Sequence, residues 1–470
     1  MILCKNNKIR SLKLNIFTKY YFSVVLNDMS TLYNLLMIKV MVLLSILKIF
    51  NLKIRKFINE RKNVFQVLQK EISKSEKYIW IHVASLGEYE QGLPVFKEIK
   101  SLYRNHKIVL SFFSSSGYNA RKNNPISDLT VYIPIDTYKN ANRFLDIIKP
   151  DIALFVKYEF WPNFLLSLKK RNIPTYLIAG LFRENHWIFK FYGFWMRKIL
   201  KSFSHLFVQN NNSMKVLSKF NFNNCSIMGD SRFDRVMTLL DQNNEVSFIN
   251  EFKNSRTCIV AGSTWKEDDD LILKFINSHL FNDTCWIIAP HQINLKYIEK
   301  IQQKAKSNSI LLSELNSENF QNIDIIFVDS VGLLTKLYAY ADISYVGGGM
   351  GNTGLHNTLE PAVFKIPVVI GKTFEKFPEV SDLINLNGII SIRNYDSFKT
   401  KINELIQSND KRDEMGEINY NYIKSNQGAT KKVITYLNEK KMKKIIILLI
   451  YNLLITNVNA QSFIGAWERH

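Results

Sequence analysis

Two glutamates in this 470-residue chain stand where a carboxylate can do chemistry. Glu88 ends the segment His82-Val83-Ala84-Ser85-Leu86-Gly87-Glu88, whose first residues close the apolar run YIWIHV (78–83). Ser85 and Gly87 suit a tight turn into a helix, which puts Glu88 in a first helical turn. A helix dipole stabilises a carboxylate there by about 0.3–1 kcal/mol, so simple capping accounts for the residue. The carboxyl end of a strand also suits a general base, and on the residues alone both readings stand. Glu159, in Tyr158-Glu159-Phe160-Trp161-Pro162-Asn163, follows the run DIALFV (151–156). It is either another cap acid or a group that orients a substrate amine or hydroxyl. Ser114-Ser115-Ser116-Gly117 is a third polar cluster after an apolar run, equally a ligand contact or an ordinary turn.

The second half holds groups suited to anions. Arg232, in Gly229-Asp230-Ser231-Arg232-Phe233-Asp234, has a fork that fits phosphate or carboxylate, or else serves an internal charge network. Ala261-Gly262-Ser263-Thr264-Trp265 precedes an acidic helix start, Glu267 to Asp270. Small residues opening a helix make an anion site, and the acids beside them read as a solvated, dipole-favoured first turn. The densest segment runs from Gly347 to Pro361, with five glycines in its first eight residues. Such a loop lets backbone amides approach a phosphate closely. No GK[ST] follows, so it is not a Walker motif. Glu360, after Asn357, is placed to grip ribose hydroxyls, the bland alternative being a flexible loop.

The elements that must position these groups are short β-rich runs spaced by helix-length segments. One series comprises YIWIHV, KIVLSFF (107–113), DIALFV, PTYLIA (174–179) and SHLFVQ (204–209). A second comprises TCIVAG (257–262), TCWIIAP (284–290), IDIIFVD (323–329), DISYVGG (342–348) and IPVVIG (366–371). This alternation predicts βαβ units and parallel sheets. A break near 241–246 divides it into two doubly wound α/β domains, 51–240 and 241–439, with a cleft between them. Ligands of such sheets sit at the carboxyl ends of the strands.

The net charge is +21, and residues 1–70 alone carry thirteen Lys/Arg against Asp28 and Glu60. This charge flanks an apolar stretch, Thr31–Phe50, and so points to an anionic membrane surface, with no nucleic acid. Twenty residues suffice to span a bilayer. Lys39 at the centre costs about 2.5–3.5 kcal/mol there, which favours a helix lying in the interface over a span, with a packed helix as the plain alternative. Residues 1–50 are therefore expected to be an extension and a membrane-associated helix. The four cysteines are far apart in sequence without metal-ligand spacing, so neither zinc nor disulfides are expected. At the other end, Met442-Lys443-Lys444, the run 445–456 and small residues before Gln461 resemble a secretory signal peptide. Residues 440–470 are expected to lie outside the fold, read through from a neighbouring secreted protein.

Taken together and in this order, SLGE, EFWPN, GDSRFD, AGST, APH, VDSVG and GGG…GLHNTLEP resemble the bacterial 3-deoxy-D-manno-octulosonic acid (Kdo) transferases over about residues 29–435. The resemblance implies a glycosyltransferase-B fold of two Rossmann-like domains around a cleft. It further implies transfer of Kdo from CMP-Kdo to a lipid A precursor, lipid IVA, with inversion and with neither metal nor cofactor. The location implied is the cytoplasmic face of the inner membrane. Glu88 matches the family's base and Glu159 a second acid in the acceptor half. Pro290-His291, Val331-Gly332-Leu333 and Asn357-Thr358-Leu359-Glu360 match donor contacts, and Ser263 and Arg232 are placed beside them. Where many members carry Arg this chain has His291, and Leu333 replaces a frequent Glu. Two other readings compete: a glycosyltransferase-B enzyme using a UDP-sugar, and a non-catalytic membrane-binding adaptor, against which Glu88 and Glu360 both speak.

Overall fold

The computed structural model describes residues 29–278, 283–443, 445 and 446. The chain forms two compact units, one of Met1–Ser231 with Gly428–His470, the other of Arg232–Gln427. In the first, β1 (Lys77–Val83), β2 (His106–Phe112), β3 (Leu129–Tyr132), β4 (Ile152–Val156), β5 (Thr175–Gly180), β6 (His205–Val208) and β7 (Cys225–Ile227) build one sheet. Its order is β3-β2-β1-β4-β5-β6-β7 and every pairing is parallel. A parallel sheet is covered on both faces, so its central strands need continuous apolar runs; all five residues of β4 are buried. Alternation along β1 feeds two cores. Trp80 points to one face, its ring centroid 5.0–5.3 Å from those of Phe144, Phe155 and Phe164, while Ile79 and Ile81 join Tyr89 and Phe96 on the other.

The second unit repeats the plan with β8 (Thr257–Thr264), β9 (Thr284–Pro290), β10 (Ser309–Leu311), β11 (Ile325–Phe327), β12 (Ile343–Val346), β13 (Val368–Ile370) and β14 (Ile389–Ser391). The order is β10-β11-β9-β8-β12-β13-β14, again all parallel. Cys258 and Cys285, distant in sequence, are register partners in β8 and β9 and both are free thiols.

The units divide at Ser231/Arg232, nine residues before the boundary expected from the sequence. Phe233, Val236 and Leu239 account for this, since they are buried with Val346, Leu359 and Val363 of the second unit. The chain then returns: Ala429, Val433 and Leu437 of the helix 429–443 complete the core around Val95 and Phe96 in the first unit. That helix continues past Glu439, where Lys441 donates to the Leu102 carbonyl at 2.7 Å. The rest of the segment resembling a signal peptide, from 447 on, lies outside the described residues, as do 1–28 of the N-terminal extension.

Among the described residues, one helix, Met29–Leu47, is long and apolar enough to cross a membrane, and none of that stretch is buried within the protein. Its second turn is nonetheless tied down. Tyr33 packs 5.4 Å from the Trp195 ring and donates to Asp136 Oδ2 at 2.9 Å, and Asn34 Oδ1 accepts from the Tyr138 amide at 2.7 Å.

Candidate active site

In the first sheet the winding reverses between β1 and β4, and such a switch point leaves room for a ligand beyond the strand ends. Glu88 and Glu159 follow these two adjacent strands. After β1, Ser85 caps the helix Leu86–Leu102 by accepting from the Glu88 amide, so the capping expected of this segment is done by the serine. The Glu88 carboxylate turns back and accepts from the Ala84 amide at 2.5 Å. Burial pushes this carboxyl up to about 7, and repulsion from Glu159 adds to it, against the opposing pull of the Ala84 amide and the Lys157 ammonium.

Glu159 is held by its neighbours. Lys157, in the left-handed region at φ 59°, turns the chain as it leaves β4. Trp161 Nε1 then donates to Glu159 Oε2 at 2.8 Å, and His82 Nε2 lies 3.1 Å from the same oxygen. His82 is fully buried in β1, with Nδ1 2.9 Å from the hydroxyl of Ser111, its register partner in β2. Trp80 Nε1 donates to that hydroxyl at 2.8 Å. A polar chain thus runs from Ser111 through His82 to Glu159. The triple-serine segment serves the scaffold instead: Ser114 caps the helix Ser115–Arg121, and Ser115 donates to Glu60 at 2.5 Å.

The second sheet reverses between β8 and β12, and there the two glycine-bearing segments meet. The Gly347 amide donates to the Gly262 carbonyl at 2.9 Å, and a Cβ on Gly347 would lie 2.5 Å from the Ser263 carbonyl oxygen. Ser263 itself is left-handed, φ 54°, where β8 shifts register against β9. The acidic run behind it is solvated only at Glu267 and Asp270. Asp268 and Asp269 are buried, and Asp268 organises the loop by accepting from the amides of Trp265 (2.9 Å) and Gly348 (2.8 Å) and from the Tyr345 hydroxyl (2.7 Å). Burial raises its pKa. The reason is the loop's own unpaired amides, which an inward carboxylate satisfies better than water does.

Pro290 ends β9, and the His291 amide donates to the Thr264 carbonyl at 2.9 Å. The His291 ring stacks against both Trp265 (4.9 Å) and His356 (4.2 Å), which are joined to each other where Trp265 Nε1 donates to His356 Nε2 at 3.0 Å. Burial, then His291, lowers the His356 pKa to about 4, and burial also lowers that of His291, so the stack is neutral at pH 7. Ser263, Pro290, His291 and the glycine-rich loop are therefore brought together. Asn357 Oδ1 accepts from the Leu359 amide at 3.1 Å, with Thr358 and Leu359 buried, which fixes the start of the short helix carrying Glu360. Glu360 is paired with Arg235 at 3.1 Å, and Arg232 with Glu379 at 2.8 Å, so Arg232 serves a protein carboxylate. Val331 is 87% exposed, Gly332 has φ 93° with open space at its Cβ position, and Leu333 packs on the core. No role for His82, His356 or Arg235 was read from the sequence, whereas Trp161 was expected to fix the Glu159 loop and does bond that carboxylate. A histidine inside the apolar β1 run was the one available signal; the contacts His82–Glu159, Trp265–His356 and Arg235–Glu360 join residues distant in sequence.

Residues 58–235 match the family model for 3-deoxy-D-manno-octulosonic-acid transferase (kdotransferase). The 3-deoxy-D-manno-octulosonic acid transferase of Haemophilus influenzae is 28% identical over 378 residues, 76% of this chain and 86% of that protein. That of Aquifex aeolicus is 29% identical over 334 residues, 70% of this chain and 86% of its own length. Among solved structures, a UDP-GlcNAc 2-epimerase from Neisseria meningitidis superposes with TM-score 0.54 at 15% identity, covering 77% of this chain and all of that one, which is a likeness of fold. Two parallel seven-stranded Rossmann-like units and relatives that extend over both make this chain a glycosyltransferase of the glycosyltransferase-B fold that is similar to the Kdo transferases.

Proposed function

We propose that the protein transfers Kdo from CMP-Kdo to lipid IVA, a lipid A precursor, at the cytoplasmic face of the inner membrane, with inversion and without a metal. The observation that carries the reading is Glu88, a partly buried carboxyl raised to about 7 at the end of β1. A base works best when its proton affinity lies near the operating pH. The acceptor hydroxyl oxygen attacks the anomeric carbon of Kdo, the bond from that carbon to the phosphate oxygen breaks, and CMP leaves as an anion. Glu88 takes the hydroxyl proton. Glu159, fixed by Trp161 and His82, orients the acceptor. In the second unit, the amides of the glycine-rich loop and the Asn357–Glu360 turn hold CMP-Kdo, whose phosphate and carboxylate suit amide donors. The exposed helix Met29–Leu47 and the basic residues around it keep the enzyme at an anionic membrane.

The test is mass analysis of lipid IVA after incubation with enzyme and CMP-Kdo, with and without EDTA. Lipid IVA gaining Kdo in both samples supports the reading. Product formed only from a UDP-sugar, with UDP competing better than CMP, overturns the donor; loss of activity in EDTA overturns metal independence.

A further inference from the structure

A cavity of about 800 Å³ opens on the first unit, and its lining includes none of Glu88, Glu159, His82 and Trp161. Three elements line it: the start of the apolar helix (Ser30, Thr31, Asn34), the helix Pro162–Lys170, and the end of the helix Phe194–Leu200 with the two residues after it. Four lysines converge there, Lys169, Lys170, Lys198 and Lys201, and among the described residues no carboxylate is in the lining. Lysines in a last helical turn answer the helix dipole, which explains any one of them. It does not explain cations from two helices gathered at one cavity, where burial and, after it, Lys201 lower the Lys198 pKa. Lys169, Lys170 and Lys201 form no ion pair among the described residues. Ser202, 8% exposed, has a buried hydroxyl that finds no partner among the described residues.

This lining fits an anion with several acceptor oxygens. By composition, residues 1–28 carry five Lys/Arg and one Asp, a net charge of the same sign as the lysines. The helix that forms the rim supplies the other half of the chemistry: Leu32, Leu35 and Leu36, within two turns of Ser30 and Thr31, are more than half exposed. We propose that the cavity binds the phosphate headgroup of an anionic glycerophospholipid of the bilayer, its acyl chains lying against Leu32, Leu35 and Leu36. This is a lipid site separate from the acceptor site, and it rests on the proposal that the Met29–Leu47 helix meets a membrane.

The full-length protein is titrated with monomeric dihexanoyl-phosphatidylglycerol and the complex counted by native mass spectrometry. One lipid per chain is expected. Neutralising a lysine near a membrane surface costs about 1 kcal/mol, or about five-fold, so the variant K169Q/K170Q/K198Q/K201Q should bind more than 100-fold more weakly. A variant of equal charge change elsewhere, K296Q/K300Q/K399Q/K431Q, should stay within about three-fold of wild type, and Ser202→Leu should weaken binding through bulk alone. Equal losses in the two quadruple variants, equal affinity for the phosphatidylcholine analogue, or inorganic phosphate binding as tightly as the lipid would each overturn the site. Flotation with neutral vesicles separates the two readings. A protein that floats with no vesicle refutes the membrane role of the helix, whereas the short-chain titration still reports on the cavity.

Discussion

Glu88→Gln tests the base and its electrostatics in one experiment. The carboxyl stands at about 7 against an ordinary 4.5, and each tenfold of proton affinity is about 1.4 kcal/mol. Keeping the group charged in the fold therefore costs about 3 kcal/mol. The sign follows from linkage: a carboxyl raised in the folded state contributes stability that is fully present below pH 4.5 and lost as the pH rises through about 7. Glutamine removes that loss. At pH 8 the variant should be more stable than wild type, by up to about 3 kcal/mol less whatever the carboxylate gains from the Ala84 amide. At about 2–4 °C per kcal/mol for units of this size, the melting temperature should rise by several degrees. Activity should move the other way, falling by about 10²–10⁴. In wild type, kcat/KM should climb with pH to a plateau above about 7. Glu159→Gln should shift that limb to lower pH, though by the smaller part of the displacement because burial is the larger cause. Melting curves and pH–rate profiles of the three proteins decide the matter. A Glu88→Gln enzyme within a few-fold of wild type, or a less stable one at pH 8, would refute the reasoning.

Asp268→Ala leaves two backbone amides and the Tyr345 hydroxyl without their acceptor, at about 1–3 kcal/mol each, so denaturant titration should show a loss of at least about 3 kcal/mol together with weaker CMP binding. Asn357→Ala and Glu360→Ala should lower CMP affinity about ten-fold in calorimetry while sparing the first unit's melting. Unchanged affinity in both would remove this turn from the donor site. Tyr33→Phe removes a donor from Asp136, whose buried carboxyl is pushed up to about 7 and is thus charged only above that pH. Its destabilisation, about 1.5–3 kcal/mol for a bond to a charged group, should appear at pH 8 and shrink toward pH 6. An equal loss at both values would mean that Tyr33 acts through packing alone.

The ten apolar runs read from the sequence all became strands, and they include every interior strand of both sheets. The four strands that escaped, β3, β7, β10 and β14, are the four sheet edges. Edge strands are short and half solvated, which blunts unwanted pairing. Here they run three or four residues with partly exposed positions, too little to carry a periodic or continuous apolar signal. The same logic governs the sites. Glu88, Glu159 and the glycine-rich loop were legible because each follows a strong strand run, and strand ends are where doubly wound sheets place ligands. Asp268 was misread because helical periodicity and charge say only that an acid begins a helix. Whether it faces water is decided by the amides of Trp265 and Gly348, the latter brought by a strand eighty residues away. His82 hid for the opposite reason: one polar residue in an apolar run is most simply a satisfied core histidine, and its partner Ser111 does satisfy it on one nitrogen. Only the pairing of β1 with β4 puts its other nitrogen 3.1 Å from Glu159. Local signals thus fix where a polar group leaves the scaffold, while strand order fixes what it meets, which is why the places of Glu88 and Glu159 after two strands were legible and the contact of His82 with Glu159 was not.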